Sequence, residues 1–268
     1  MIKLHRVEPG SRFRAGDVDA GATPGFKGGK AKTGKVFEAL NRRLEDLQNK
    51  LWAEHRRKVL VVLQGMDTSG KDGTISHVFE GVNPLGVKAV AWKAPSGEQL
   101  EHDFLWRIHA RTPGRGEIVI FNRSHYEDVL AARVHGLVPP RVWKARYAQI
   151  NDFERLLCEN DTTVLKFFLH IDADEQKKRL KERLEDPAKR WKFRLADLAD
   201  RALWKSYMEA YEAAITRTST KWAPWYVVPA NKKWYRNLVV ATVLVETLAG
   251  FKLKLPEPVE DLSGVAVE

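Results

Sequence analysis

The chain contains 268 residues, of which 44% are hydrophobic and 30% are charged, a composition that excludes a wholly disordered chain and a membrane protein. Its 45 lysines and arginines outnumber 35 aspartates and glutamates, so the net charge is +10. A positive field of this size concentrates polyanions, and nucleic acid, anionic lipid, nucleotides and inorganic phosphate chains all fit it.

The N-terminal part of the chain predicts a basic arm followed by a helix. The first twenty residues lack the apolar stretch of a secretory signal, and no apolar run reaches the eighteen or so residues that cross a bilayer. We therefore expect a cytoplasmic protein. Residues 1–34 are rich in Gly, Lys and Arg without a period, which predicts a flexible arm. Lys35–Arg57 carries apolar residues at three- and four-residue spacing, which is typical of a helix.

The rest of the chain alternates between short apolar runs and helical patterns, which predicts an α/β fold. The apolar runs predict five strands at Val59–Leu63, Val87–Trp92, Ile118–Phe121, Thr163–Ile171 and Trp225–Val228. Helical patterns cover Lys71–Glu80, Glu98–Arg111, Ser124–His135, Pro140–Asn160, Ala173–Leu184, Asp197–Thr218 and Lys232–Ala249. Runs that are apolar throughout suit strands covered on both faces, so we expect a mainly parallel, doubly wound sheet. We assign residues 35–250 to one domain and 251–268 to a tail.

The segment after the first predicted strand has the spacing of a phosphate-binding loop. Gly65, Gly70 and Lys71 match GxxxxGK, and the required context is present because an apolar strand precedes the loop and a helix follows it. Backbone N–H groups of such a loop wrap a phosphate, and the helix directs its positive end at the anion. The alternative is a plain turn between strand and helix. The predicted phosphate-binding residues here are Gly65, Ser69, Gly70, Lys71, Asp72, Gly73 and Thr74.

Two carboxylates make this loop unusual. Asp72 follows Lys71 where an ordinary ATPase or GTPase has Ser or Thr as a magnesium ligand. Asp67 lies inside the loop, where a carboxylate is unfavourable beside phosphates unless a metal ion or basic groups offset the repulsion. Asp67 thus predicts a metal site, and its alternative role is to stabilise a turn.

A second polar cluster follows the predicted strand Ile118–Phe121, in the position of a Walker B motif. Because ligands of open parallel sheets bind beyond the carboxyl ends of the strands, we expect Arg123 and Asp128 near Lys71 and Asp67. Asp67 and Asp128, with phosphate oxygens, would form a cradle for Mg²⁺ or, in its place, Mn²⁺. The four residues Asp67, Lys71, Arg123 and Asp128 are the predicted catalytic set.

The same cluster has a structural alternative. Asn122 or Ser124 could cap a helix, while Arg123 and Asp128 form a surface ion pair. We assign His125 a structural role, because a phosphate acceptor is already largely ionised near neutral pH and needs no general base.

A third segment is strongly basic. Arg179 and Arg183 share one face of a predicted helix, and Lys189 and Lys192 follow in a turn. The strip could close over a phosphate chain as a lid of about residues 173–196. Its alternative is a solvated helix face.

The amino-acid sequences of these segments resemble those of the family-2 polyphosphate kinases. The matching stretches are GMDTSGKDG, HDFLWRIH, FNRSHYEDVL, DPAKRWKF and APWYVVPANKKWYRNL. The resemblance implies a thymidylate-kinase-like P-loop fold, magnesium dependence and reversible phosphoryl transfer between inorganic polyphosphate and nucleotides. It is nearest to the single-domain branch that accepts AMP and ADP, with other nucleotides as further acceptors. A homo-oligomer is also expected.

The resemblance also assigns roles to residues. It places Gly65, Asp67, Gly70, Lys71 and Asp72 in the Walker A loop, Arg123 and Asp128 in Walker B, and Arg179, Arg183, Lys189 and Lys192 in the lid. Asp72 is then no anomaly, because a residue other than Ser or Thr is usual at that position in this family. An ATP-dependent nucleoside monophosphate kinase is the alternative, and a nucleic-acid-binding protein, suggested by the charge and nine tryptophans, is less favoured.

Overall fold

The computed structural model describes residues 2–261 together with residues 263, 265 and 267, and its centre is a six-stranded sheet. The strands are β1 (His5–Arg6), β2 (Lys58–Gln64), β3 (Val87–Ala91), β4 (Ile118–Asn122), β5 (Thr162–His170) and β6 (Trp225–Pro229). Their order in the sheet is β1-β6-β5-β2-β4-β3. Strands β2 to β6 are parallel, and β1 pairs antiparallel with β6.

The five predicted strands are present with slightly shifted bounds, but the predicted strand count of five is wrong. The sixth strand, β1, has only two residues, too few to produce an apolar run. In the centre, Val59 pairs with Ile118 on β4 and with Thr163 on β5. Residues 59–63 are fully buried, as expected for a strand covered on both faces.

Helices cover the sheet and carry the chain between its strands. Their bounds are α1 (Gly29–Glu54), α2 (Lys71–Val78), α3 (Trp106–His109), α4 (Ala131–Val134), α5 (Pro140–Glu159), α6 (Ala173–Glu185), α7 (Leu195–Ala202), α8 (Trp204–Thr218) and α9 (Lys233–Gly250). Helix α9 packs against α1 and α2, whereas α5 packs against α4, α8 and β5. Within the described residues, no helix is long and apolar enough to cross a membrane.

The predicted helix at Glu98–Arg111 is not continuous. The structure has a 3-10 turn at Gly97–Leu100 and the single-turn helix α3. Between them the Asp103 carboxylate accepts a hydrogen bond from the backbone N–H of Leu105 at 2.9 Å. Such a local bond from an aspartate competes with helical hydrogen bonding, which explains the interruption.

Two further predicted helices are also divided. Ser124–His135 becomes a 3-10 turn at His125–Asp128 and the short helix α4, and Asp197–Thr218 is broken at Leu203 between α7 and α8. The Ser124 hydroxyl accepts from the N–H of Tyr126 at 3.1 Å and so caps the 3-10 turn.

The N-terminal segment, expected as a flexible arm over residues 1–34, packs on the domain where the structure describes it. Val7 and Phe13 are buried, and the Ser219 hydroxyl donates to the carbonyl of Val7 at 2.6 Å. These apolar residues follow no helical or strand period, so the sequence pattern does not show that they are covered.

A buried ionic cluster ties the helices to the sheet on the α5 side. Lys166 of β5 donates to the Glu154 carboxylate at 2.6 Å and to the Thr218 carbonyl at 2.7 Å, and the Tyr126 hydroxyl donates to Glu154 at 2.8 Å. Burial raises the pKa of Glu154, but the charge of Lys166 and a hydrogen bond from His125 outweigh it and lower that pKa. The cluster therefore holds a charged carboxylate inside the core.

We predict that Lys166→Met lowers the free energy of unfolding by about 3 to 5 kcal/mol, because the buried Glu154 carboxylate loses its lysine counter-charge. Urea unfolding measures the loss. As a control, Arg155→Ala removes an exposed ion pair with Asp152 and should cost less than about 1 kcal/mol. Equal losses in the two variants would contradict a structural role for the buried cluster.

Candidate active site

A cavity of about 1020 Å³ opens at the carboxyl ends of β2 and β4. Its walls come from the loop between β2 and α2, the end of β4, helices α6 and α7, and the first turns of α1 and α9. This is the position in which open parallel sheets bind ligands. The three motifs found in the sequence therefore meet at one cavity.

The loop between β2 and α2 has the geometry of a phosphate-binding loop. Helix α2 begins at Lys71, and Gly70 takes a φ of +98°, a conformation that favours glycine. Lys71 is 8% exposed, and its Nζ donates to the carbonyls of Gly65 at 2.8 Å and Met66 at 3.3 Å. The N–H groups at the start of α2 and the buried Lys71 side chain therefore both lie at the cavity wall.

The outer side of this loop is held by α6. Gln176 donates to the carbonyl of Asp67 at 3.2 Å, and Arg179 donates to the carbonyls of Thr68 at 2.8 Å and Ser69 at 3.2 Å. In a planar trans peptide the N–H points opposite to the C=O. The N–H groups of Thr68 and Gly70 therefore point away from α6 and towards the inside of the loop.

Burial sets the electrostatics of Lys71. Desolvation, followed by the charge of Arg123, lowers the pKa of Lys71 to about 8, although Asp67, Glu127 and Asp72 act in the opposite direction. The charged ammonium is therefore unfavourable in the protein alone. A bound phosphate would favour it.

Arg123 and Asp67 come together as the sequence predicts. Arg123 has a φ of +63°, and its N–H donates to the carbonyl of Leu63 at 3.0 Å. This left-handed residue turns the chain at the end of β4, and the guanidinium donates to the Asp67 carboxylate at 2.6 Å. Glu127 lies 3.8 Å away on the same guanidinium.

Asp128 does not join them, which corrects the expectation that it lies near Lys71 and Asp67. Its carboxylate accepts from Arg146 of α5 at 3.3 Å, and it is not part of the cavity wall. In a 3-10 turn successive side chains differ by about 120° in direction. Glu127 therefore points to Arg123, while Asp128 points to α5. The predicted alternative of an Arg123–Asp128 ion pair is also not formed.

Asp72 bridges three elements around the cavity. Asn122, the last residue of β4, donates to its carboxylate at 2.6 Å, and Lys192 approaches it at 4.0 Å. The side chain that replaces the usual Ser or Thr thus pairs with an amide and a cation. Its backbone N–H, in the first turn of α2, remains the group suited to a phosphate.

The predicted basic strip divides into two parts. All four side chains line the cavity, and Arg183 lies 3.5 Å from Asp197. Arg179 differs from the other three in its hydrogen bonding. Arg179 is 5% exposed, and all five of its N–H groups donate within the protein. The acceptors are the Glu175 carboxylate and the carbonyls of Thr68, Ser69, Ala230 and Asn231. Arg179 therefore positions the loop and has no donor left for a phosphate.

Among the cavity residues that were not predicted from the sequence, Arg236 and Asp197 carry charges close to the loop. Arg236, at the start of α9, donates to the loop and lines the cavity. It lies in APWYVVPANKKWYRNL, one of the stretches that resemble the family-2 polyphosphate kinases, but no site role was assigned to it. Asp197 faces the cavity from α7, and burial and then the charge of Asp67 raise its pKa. The only sequence signal for Asp197 was its position beside the predicted lid.

The cavity carboxylates suit a hard divalent cation. Within the described part of the chain, no three His, Cys, Asp or Glu side chains form a ready-made metal site. Asp67 and Asp197 both face the cavity, and their mutual repulsion is the kind that a cation relieves. A metal held here would need phosphate oxygens as additional ligands.

Comparison with known proteins gives a family and close relatives. The family described as polyphosphate kinase 2 matches residues 29–256. The chain is 55% identical over 267 residues, 100% of both proteins, to the AMP/ADP-polyphosphate phosphotransferase of Meiothermus ruber. It is 42% identical over 265 residues, 92% of each protein, to the ADP-polyphosphate phosphotransferase of Rhodopseudomonas palustris. The crystal structure of polyphosphate kinase 2 from Arthrobacter aurescens TC1 matches with a TM-score of 0.93 at 47% identity, over 96% of this chain and 92% of that one.

We predict that anion binding to the loop weakens as pH rises above about 8, because Lys71 is charged below its pKa and neutral above it. With long-chain polyphosphate as the probe, affinity should fall roughly tenfold between pH 7 and pH 9. Lys71→Arg keeps its charge throughout and should lack this fall. Identical pH profiles for the two proteins would show that Lys71 does not contact the anion.

Proposed function

Because the chain belongs to the polyphosphate kinase 2 family, we propose that it transfers a phosphoryl group between inorganic polyphosphate and AMP or ADP. The observation that carries this function is the convergence of cations on one cavity that contains a phosphate-binding loop. The cations of the cavity wall include Lys30, Lys71, Arg123, Arg183, Lys189, Lys192, Lys233 and Arg236. A donor without base or sugar is held by its phosphates alone, and such a wall suits it.

The residues divide the transfer between them. The loop N–H groups and Lys71 hold the terminal phosphate of the donor, and Arg123 stabilises the charge that develops on the transferred group. A phosphate oxygen of AMP or ADP attacks the terminal phosphorus, and the bridging P–O bond to the chain breaks. The shortened chain leaves with the bridging oxygen and its negative charge. The acceptor oxygen is already ionised near neutral pH, so no side chain has to remove a proton.

The metal site of this proposal rests on Asp67, with Asp197 as the second carboxylate. Both line the cavity, whereas the carboxylate of Asp128 is paired with Arg146 outside it. When bound, Mg²⁺, or Mn²⁺ in its place, would neutralise charge on the phosphate oxygens. Arg123 holds Asp67 through a hydrogen bond of 2.6 Å and so orients its carboxylate.

The proposed thymidylate-kinase-like fold includes a lid over the cavity. Helix α6 carries Arg183 to the cavity, and the 3-10 turn Arg190–Lys192 with the residue before it carries Lys192 and Lys189 there. These side chains would cover the phosphate chain and exclude water from the transferred group. Reversibility, further nucleotide acceptors, the homo-oligomer and the cytoplasmic location stay predictions.

Donor identity is tested by supplying one donor at a time. We predict that the purified protein with magnesium and polyphosphate converts AMP to ADP and ADP to ATP without any added nucleoside triphosphate. Chromatography of the nucleotides measures both conversions, with Lys71→Ala as the inactive control. Product formed only from ATP and a monophosphate would establish an ATP-dependent nucleotide kinase instead.

A second prediction distinguishes Asp67 from Asp128 as a ligand of the metal ion. Asp67→Asn should raise the magnesium concentration required for half-maximal rate by about tenfold or more, because it removes a charged ligand. Asp128→Asn changes charge equally and should leave that concentration within about twofold of the parent value, since Asp128 pairs with Arg146. The magnesium titration decides between them. A larger effect from Asp128→Asn than from Asp67→Asn would return Asp128 to the metal site.

A further inference from the structure

Arg236, at the start of α9, is a buried cation to which the transfer described above assigns no separate role. It is 2% exposed, and its Nη1 donates to the carbonyl of Ser69 in the loop at 3.3 Å. A Cβ at Gly70 would overlap Nη1 of Arg236. Gly70 is therefore needed for this close approach of the guanidinium as well as for its backbone conformation.

No carboxylate balances the charge of Arg236 within the part of the chain that the structure describes. Its other polar contact is the amide oxygen of Asn237, which accepts from Nε at 3.0 Å and from Nη2 at 2.7 Å. Burial, and then the charge of the neighbouring Arg179, lower the pKa of Arg236. A buried cation repelled by a second cation is destabilising unless an anion approaches it.

The two neighbouring arginines differ in their hydrogen-bonding capacity. Arg179 uses all five N–H groups on protein acceptors. Arg236 uses three of its five, which leaves two for a ligand. Its guanidinium also lines the cavity, and Nη2 lies 3.3 Å from where a Cβ of Gly73 would be, in the first turn of α2. The unused donors are thus at the end of α2 that attracts anions.

We propose that Arg236 is a direct ligand of the donor phosphate chain, beside the phosphate held by Lys71. This deepens the proposed function and rests on it. A phosphate oxygen at this position would accept a charge-assisted hydrogen bond and neutralise a guanidinium that has no other counter-ion among the residues that the structure describes. The energy stored in the buried charge of the free protein then contributes to binding of the chain.

The test compares two variants that each remove one positive charge near the start of α9. Arg236→Gln should weaken long-chain polyphosphate binding by about tenfold or more, measured without nucleotide. The slope of log affinity against log salt should also decrease by roughly 0.7, the value for one contact to single-stranded nucleic acid. Lys232→Gln, an exposed residue outside the cavity wall, should leave both values near those of the parent. The affinity for AMP should be the same in all three proteins.

If Arg236 had only a structural role, a different result would be expected. Its removal would lower the thermal midpoint of the free protein and leave the salt slope unchanged, whereas loss of an unneutralised ligand should leave the midpoint unchanged or higher. If Arg236→Gln folds and binds polyphosphate with the affinity and slope of the parent, the proposal is wrong.

A crystal structure of the parent protein with polyphosphate provides a second measurement, which does not depend on the variant. A phosphate oxygen within about 3 Å of the Arg236 guanidinium supports the proposal, and a bound chain that contacts Lys71 but not Arg236 overturns it. These measurements test the proposed function and the role of Arg236 separately. A parent protein that makes no product from polyphosphate would contradict the proposed function. If the parent is active and Arg236→Gln binds polyphosphate as the parent does, only the role of Arg236 is contradicted.

Discussion

The five hydrogen bonds of the buried Arg179 guanidinium are the interaction on which the rest of the site depends. Four of them join α6 to the carbonyls of Thr68 and Ser69 in the loop and to those of Ala230 and Asn231 after β6, and the fifth goes to Glu175 of α6 itself. By holding the loop carbonyls on the outside, Arg179 directs loop N–H groups to the inside, where a phosphate binds. The same contacts fasten the helix that begins the lid to the loop that it would cover.

The electrostatic design of the site favours binding over the stability of the free protein. Lys71, Arg236 and Arg123 face one cavity, and burial lowers the pKa of the first two. Arg123 has Asp67 as its partner at 2.6 Å, but Arg236 has only neutral oxygen acceptors in the described chain. Binding sites often keep such unfavourable groups because the ligand neutralises them. A polyanionic donor would neutralise these cations and so remove the repulsion between them.

The sequence predicted the parts of the site that follow local rules. The apolar run 59–63 and the spacing of Gly65, Gly70 and Lys71 place the loop, because a strand, a tight turn and a helix are all local features. The proximity of Arg123 to Asp67 followed from the meeting of parallel strand ends at one sheet edge, but their ion pair was not predicted. What the sequence could not show is where individual side chains point. Asp128 turns to Arg146 because the chain enters a 3-10 turn, and Arg179 turns inward to the loop, although the helical period gives it the same face as Arg183. The two-residue strand β1 has no periodicity to detect.

Arg179 shapes the loop without touching the phosphate chain, and the salt dependence of polyphosphate use by Arg179→Gln, compared with Arg179→Lys, tests this most directly. A lysine keeps the charge but cannot make five hydrogen bonds in fixed directions. In Arg179→Lys we expect kcat to fall by about tenfold or more, while the slope of log KM for polyphosphate against log salt stays at the parent value. Because Lys keeps the charge, its slope would stay unchanged in either case, so Arg179→Gln decides: its slope should also stay at the parent value, because Arg179 has no donor left for a phosphate. A slope that decreases in Arg179→Gln as it does on loss of a phosphate contact would contradict the claim and place Arg179 on the chain.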